Sequence, residues 1–175
     1  MTPLRCRTSL AVGLLCLLGG SASGATQAQE RADQCIEAVK QALTRSKPDE
    51  AAREVKEALR SDLLDEGKEG MVRGYLLQEV GLLFFYSGHF TPAEGFLKQS
   101  LACREKLQPR QLLHEFLSHS NLGVLYRNME NYGQAIVHYN ACLALQAEDR
   151  AGKVGPVRQA RVHNNLGYLY ERTGK

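Results

Sequence analysis

The feature that most constrains this chain of 175 residues is an internal repeat with a period of 42 residues. Three series of positions keep their side-chain type at this spacing. They are Ala51, Ala93 and Ala135; Leu59, Leu101 and Leu143; and the small residues Ala58, Ser100 and Cys142. A fixed period of this length predicts equivalent supersecondary units, each of which buries its apolar face against its neighbours. We therefore expect a repeat array.

A second series marks one helix in each unit. A glycine follows Val or Leu in each unit, and an aromatic residue stands three positions after it. These pairs are Gly81 and Phe84, Gly123 and Tyr126, and Gly167 and Tyr170. The glycine spacings are 42 and 44, which predicts two extra residues in the second connection, within residues 152–156. A bulky side chain between packed helices lowers stability by about 1–3 kcal/mol. The repeated glycines therefore predict that another helix packs closely against each of them.

Each unit contains two apolar segments of helical period, separated by a short polar turn at residues 87–89 or 129–131. This pattern predicts an all-α fold of antiparallel helix hairpins. The expected units are residues 32–66, 74–108, 116–150 and an incomplete 160–175, after a short linker at 26–31. The leading unit keeps the fewest repeated positions, and its charged face suits a cap on the array.

The amino terminus has the layout of a secretory signal peptide. Arg5 and Arg7 precede an apolar run at residues 10–18, and small residues continue to Ala25. The run is shorter than the roughly 20 residues that span a bilayer as a helix. We therefore expect residues 1–25 to be a signal peptide, with no stable membrane span after its cleavage. Export to the periplasm is favoured, and secretion or a secretory-pathway lumen stays open.

Composition and spacing argue against several functional classes. The chain has 22 Lys and Arg against 19 Asp and Glu, without the excess of positive charge that marks nucleic-acid binding. His114 and His119 are five residues apart, whereas a zinc-binding helix pairs histidines four apart. We expect no catalytic residue, metal or cofactor, and hence no enzyme. Cys35, Cys103 and Cys142 are expected to be packing residues, and one disulfide with a free thiol is the alternative.

The middle unit resembles the tetratricopeptide repeat, in which Leu-Gly and Tyr on one helix are followed by small, aromatic and small residues on the next. The matching residues are Leu122, Gly123, Tyr126, Ala135, Tyr139 and Cys142. The period exceeds the usual 34 residues and in this resembles the longer repeats of kinesin light chains. The resemblance implies a right-handed superhelical solenoid of antiparallel helix hairpins. Its repeat signature in this chain is Gly81, Ala93, Gly123, Tyr126, Ala135, Gly167 and Tyr170.

The resemblance also implies a concave groove, lined by the first helix of each hairpin, that binds a protein or peptide partner. The groove positions that it selects are Glu79, Leu82, Phe85 and Tyr86; Asn121, Val124, Arg127 and Asn128; and Asn165, Tyr168, Glu171 and Arg172. Asn121 and Asn165 are expected to hydrogen-bond the backbone of an extended segment. Arg127 and Arg172 are expected to favour acidic side chains.

Two functions follow from these expectations. The first is an exported scaffold or adaptor that binds a partner segment in its groove. The alternative is an amino-terminal sensor or regulatory array of a longer protein whose effector part lies beyond residue 175, because the last predicted helix has no partner helix. Tyr168 and Tyr170 make this helix apolar on more than one side, which leaves self-association through it open.

Overall fold

The computed structural model describes residues 22–60 and 70–174. Within these residues the chain forms seven α-helices and no β-strand, which confirms the all-α prediction. The helices are α1 (Ala22–Thr44), α2 (Pro48–Leu59), α3 (Gly70–Tyr86), α4 (Phe90–Glu105), α5 (Leu112–Asn128), α6 (Tyr132–Glu148) and α7 (Pro156–Thr173). Of the predicted signal peptide, residues 1–21 lie outside the described residues, and residues 22–25 form the start of α1.

The helices pair in chain order into hairpins, α1 with α2, α3 with α4 and α5 with α6, and α7 packs against α6. The second and third hairpins close in the same way. The amide of His89 donates to the carbonyl of Phe84 at 2.9 Å, and the amide of Asn131 donates to the carbonyl of Tyr126 at 2.9 Å. Both turns lie at the positions that the sequence predicts.

The first helix, α1, is an amphipathic helix of 23 residues. Its buried residues alternate spacings of four and three, and they form a stripe that packs against α2 and α3. They are Ala28, Ala32, Cys35, Val39 and Ala42. The predicted linker at 26–31 is wrong, because α1 continues through it. Most of these six residues are good helix formers, and Ala28 among them is fully buried.

The later first helices begin about one turn before the predicted units. They start at Gly70, Leu112 and Pro156, where the predicted units start at residues 74, 116 and 160. Proline is favourable at the first helical position because its missing N–H has no partner there, which accounts for the start of α7. Residues 61–66 of the first predicted unit and residue 175 of the last lie outside the described residues.

Close packing at the repeated glycines is confirmed at two positions. A Cβ atom on Gly81 would lie 2.8 Å from Cγ of Leu97, and one on Gly123 would lie 2.7 Å from the ring of Tyr139. At Gly167 no neighbour in the described chain comes within 4 Å of such an atom, so the predicted contact is not seen there. In the earlier hairpins the second helix covers this face, and the described residues contain no helix after α7.

The three cysteines in the described ranges are free thiols, so the alternative of a disulfide is not observed. Cys35 and Cys142 are buried, and burial raises the pKa of the first thiol to about 11 and of the second to about 12. The Sγ atom of Cys142 lies 3.4 Å from the carbonyl oxygen of Phe116 on the facing helix. These two cysteines are packing residues, as the sequence predicts.

Neighbouring hairpins are joined mainly through the contacts of α1 with α3, α4 with α5 and α6 with α7. The direct contact between α3 and α5 is small. This stack of hairpins confirms the helical solenoid. We call α3, α5 and α7 the inner helices and α4 and α6 the outer helices, after the sides that the resemblance predicts for them. None of the described helices is both long and apolar enough to cross a membrane.

Candidate partner-binding groove

The predicted groove begins with aromatic side chains at the carboxyl end of α3. Tyr86 is 79% exposed, and the half-buried ring of Phe85 contacts the rings of Tyr86 and Phe90, with centroids 5.1 Å and 5.8 Å apart. Leu82 is half-buried one turn earlier, and Glu79 accepts a hydrogen bond at 3.2 Å from the glutamine side chain next to it. This end of the predicted groove offers mainly apolar surface.

On α5 the predicted groove positions carry mainly polar side chains. Asn121 is half-buried, and its amide has no hydrogen-bond partner within residues 22–60 and 70–174. Asn128 is exposed, and its Nδ2 donates to the carbonyl of Val124 in the same helix at 2.8 Å. Asn121 is thus the groove amide whose hydrogen-bonding capacity is unused, which is the property that the predicted backbone contact requires.

Asn165 is placed differently from the prediction. It is only 9% exposed, and its Oδ1 accepts a hydrogen bond of 2.7 Å from Nη1 of Arg127, which joins α7 to α5. The reason is its position within the buried stripe of α7, with Val162, Leu166 and Leu169 at helical spacing. The expectation of a freely displayed asparagine is therefore corrected at Asn165, because half of its amide is used inside the fold.

Tyr139 on α6 faces the same contact between α5 and α7. Its side chain is completely buried, and its hydroxyl has no hydrogen-bond partner in the described part of the chain. Burial raises the pKa of Tyr139 to about 12, and the nearby positive charge of Arg127 opposes part of this rise. The sequence predicts a close helix contact at Gly123, but no pattern in it shows that the ring of Tyr139 fills this place or that its hydroxyl is left unpaired.

Tyr168 and Arg172 form the carboxyl-terminal end of the predicted groove. Tyr168 is 39% exposed, Nε of Arg172 donates to its hydroxyl at 3.1 Å, and the guanidinium lies 5.3 Å from the ring centroid. The hydrogen bond to Tyr168 raises the pKa of Arg172. Glu171 is exposed beside them. The aromatic ring therefore holds an exposed guanidinium in a defined position.

A polar network that the sequence does not predict links the second and third hairpins. Nδ1 of His119 lies 2.9 Å from Nδ1 of His138, and the ring of Tyr126 stacks on His138 with centroids 5.4 Å apart. The hydroxyl of Tyr126 donates to Glu94 at 2.7 Å, and Glu94 also pairs with Lys98 at 2.6 Å. In the sequence, the five-residue spacing from His114 argues against a zinc site at His119 and favours a structural role. Its partner is on another helix, so spacing along the chain gives no signal.

Arg104 fixes the positions of α3 and α5. It is 4% exposed, and its Nη1 donates to Gln78 at 2.7 Å, to the carbonyl of His114 at 3.0 Å and to Ser118 at 2.8 Å. Burial lowers the pKa of Arg104 to about 10. Its stem packs on Gly74, where an added Cβ would lie 3.3 Å from Cγ of Arg104. This buried contact joins α3 to α5, two helices of the predicted groove.

Two further features of the described residues are their possible metal ligands and their largest clefts. No group of three or more His, Cys, Asp or Glu side chains suited to a metal ion occurs among the described residues. A cleft lies between the α4–α5 and α6–α7 connections, and its lining carries both signs of charge. Arg110 in this cleft already pairs with Glu148 at 3.0 Å and with the buried carboxylate of Glu115.

Comparisons with known proteins agree with this architecture. Residues 118–149 match the tetratricopeptide repeat. No curated protein matches the chain. Among solved structures, the chain is similar to BtubC (BKLC) from P. vanneervenii, with a TM-score of 0.60 and 24% sequence identity over 72% of this chain and 50% of that one. The chain thus spans half the length of BtubC, and the likeness shows a shared fold.

Proposed function

We propose that this chain, which carries a tetratricopeptide repeat in a solenoid of helix hairpins, is a protein-interaction scaffold whose inner face binds an extended partner segment. The observation that carries the proposal is the unused binding capacity on the inner helices. Tyr86 exposes an aromatic ring, Asn121 has an unpaired amide, and Arg127 has no carboxylate partner among the described residues. Buried or half-buried polar groups are normally paired, so the unpaired amide of Asn121 is available for a hydrogen bond to a partner.

The order of these side chains suggests the character of the partner. Leu82, Phe85 and Tyr86 suit an apolar side chain at one end. Asn121 carries both a donor and an acceptor, so it suits the backbone of an extended segment whatever its side chains are. Arg127 and Arg172 suit acidic groups at the other end. The partner segment is therefore proposed to be apolar at one end and acidic at the other.

The setting of this scaffold is proposed from the sequence. The layout of residues 1–25 supports export, with the periplasm favoured and secretion or a secretory-pathway lumen as alternatives. The near balance of charges supports the absence of nucleic-acid binding, and the lack of catalytic motifs supports a non-enzymatic role. The finer likeness to kinesin-light-chain repeats rests on the 42-residue period.

The second candidate function is a sensor or regulatory array within a longer protein. The open face of α7 favours it, since Gly167 has no neighbour there within the described residues and Tyr168 is partly exposed. In the preceding hairpins the equivalent face is covered by a second helix, at Leu97 or Tyr139. Self-association through α7 would cover the same surface.

The groove is tested by selecting a random-peptide library on the full chain and measuring each selected peptide on variants. Tyr86→Ala and Asn121→Ala are each expected to weaken binding by about 1 kcal/mol or more, roughly fivefold to tenfold. Val137→Ala is the control, because Val137 is 58% exposed on the outer helix α6. Asn165→Ala is avoided, since it removes the acceptor of Arg127. Peptides that bind all variants equally would place the binding surface elsewhere.

A further inference from the structure

The positive charge of the chain is concentrated in one short segment. Residues 150–161 contain Arg150, Lys153, Arg158 and Arg161 and no Asp or Glu. The net charge of the whole chain is +3, so the chain without these four residues would be slightly negative. The segment comprises most of the α6–α7 connection and the first turns of α7. We call these four residues and the exposed Val157 between them the connection patch.

The connection that carries Arg150 and Lys153 is held in place by contacts of its own backbone. Oδ2 of Asp149 accepts a hydrogen bond of 2.7 Å from the amide of Val154, whose side chain is completely buried. Nη1 of Arg158 donates to the carbonyl of Val154 at 3.1 Å. The side chains of Arg150 and Lys153 remain exposed. The backbone therefore displays these two charges at the surface while it uses the nearest carboxylate internally.

The other neighbouring carboxylates do not neutralise the connection patch. Glu115 and Glu148 both pair with Arg110, on the opposite side of the cleft between the two connections. No basic residue of the connection patch forms an ion pair within residues 22–60 and 70–174. All four are exposed. The patch is therefore complementary to an anionic surface.

A bilayer surface fits this patch better than an acidic protein or a nucleic acid does. Val157 lies among the charges and is 73% exposed. An exposed apolar side chain gains nothing from carboxylates or nucleic-acid phosphates, but it gains free energy at the boundary between lipid headgroups and acyl chains. The basic side chains beside it are attracted by anionic headgroups. A second copy of the chain is a poor occupant, because two such patches carry like charges.

We infer that the connection patch binds the surface of a bilayer that contains anionic phospholipids, with Val157 at the boundary between headgroups and acyl chains. This inference goes beyond the proposed function, because none of the patch residues is a predicted groove position. The groove stays free for its partner segment. The scaffold would thereby hold that segment at a membrane surface.

The test is co-flotation of the full chain with vesicles of phosphatidylcholine, with or without one third phosphatidylglycerol. Lys153→Gln combined with Arg161→Gln is expected to lower the affinity for the anionic vesicles about 25-fold, because each basic residue near the surface contributes about fivefold. Arg53→Gln combined with Lys56→Gln removes the same charges from exposed positions on α2 and is the matched control, expected to bind as the wild type does. Residues 1–25 are identical in all variants, so their contribution cancels.

A third variant separates a bilayer from a soluble polyanion. Val157→Ser keeps every charge of the connection patch and is expected to weaken binding to the anionic vesicles about fourfold, the contribution of one buried CH₂ group. Val137→Ser is its control, because Val137 is 58% exposed on α6, away from the patch. Circular dichroism checks that each variant keeps the helical content of the wild type.

The outcomes either support the bilayer or overturn it. Equal affinity of the wild type and the Lys153→Gln, Arg161→Gln variant overturns the inference, and so does an equal loss in the Arg53→Gln, Lys56→Gln control. A loss in the patch variant without any loss in Val157→Ser would show that charge alone is recognised, as by a soluble acidic protein, and also overturns it. All these variants keep the groove positions, so peptide binding tests the proposed function separately.

Discussion

At the scale of single residues, equivalent positions of this repeat differ in what surrounds them. Gly123 lies against the ring of Tyr139, and Gly167 has open space at the same place in the next unit. Both glycines are recognised from the sequence as members of one series. The sequence could not predict the difference, because it depends on which helix covers the face and not on the glycine itself.

Substitution by alanine is expected to separate these two glycines. Gly123→Ala should lower the free energy of unfolding by about 1–3 kcal/mol, because its methyl group overlaps the ring of Tyr139. Gly167→Ala should leave stability unchanged or raise it by up to about 1 kcal/mol, since alanine is the better helix former. Urea unfolding followed by circular dichroism measures both, and equal losses would contradict the packing described for α7.

The contacts of the candidate groove residues also depend on neighbouring helices. The resemblance places Asn165 and Arg127 on the inner side but does not predict that they bond to each other. The apolar stripe of α7 did contain a signal, since Asn165 falls between Val162 and Leu166 and should therefore be buried. The unpaired hydroxyl of Tyr139 and the contacts of Arg104 depend on tertiary packing, which no local pattern reports.

At the scale of helices, the hairpins and their turns could be predicted, because the period and the polar turns are local signals. The starts of α3, α5 and α7 could not be predicted, because the extra helical turn at each start lies outside the repeated apolar positions. The same holds for α1, whose alternating spacing of buried residues is visible only once α2 and α3 are known to cover one side. Helix ends are weakly encoded wherever capping residues are absent.

The His119 and His138 pair joins α5 to α6 and predicts a dependence on pH. Burial lowers the pKa of His138 from its ordinary value of 6.5 to about 4, and the charges of His119 and Lys98 add to this. The unfolded chain therefore binds more protons between pH 4 and 6.5, so stability is greatest above this range and falls as the pH is lowered through it. Glu115 acts in the opposite direction on His119.

His138→Gln is expected to flatten this part of the stability profile. The measurement is urea unfolding at several pH values from 4 to 8, with His163→Gln as control because His163 is exposed on α7. A slope between pH 4 and 6.5 that is the same in wild type and His138→Gln would show that the pair does not control acid stability.

At the scale of the whole molecule, the proposed function requires that the two helices of each hairpin have different roles. The inner helices α3 and α5 carry unpaired polar and aromatic side chains, and the outer helices α4 and α6 brace them through contacts such as that of Arg104. The repeat could be predicted from the sequence with its fold. The partner could not be predicted from the sequence, because binding depends on which side chains stay unpaired after folding.

The most direct test of a partner-binding inner face is site-specific photocrosslinking in the cells that make the protein. A benzoylphenylalanine replaces Asn128, exposed on the inner helix α5, or Val137, 58% exposed on the outer helix α6. The account predicts a crosslinked partner protein from position 128 and none from position 137. The same partner captured as strongly from position 137, or from that position alone, would contradict it.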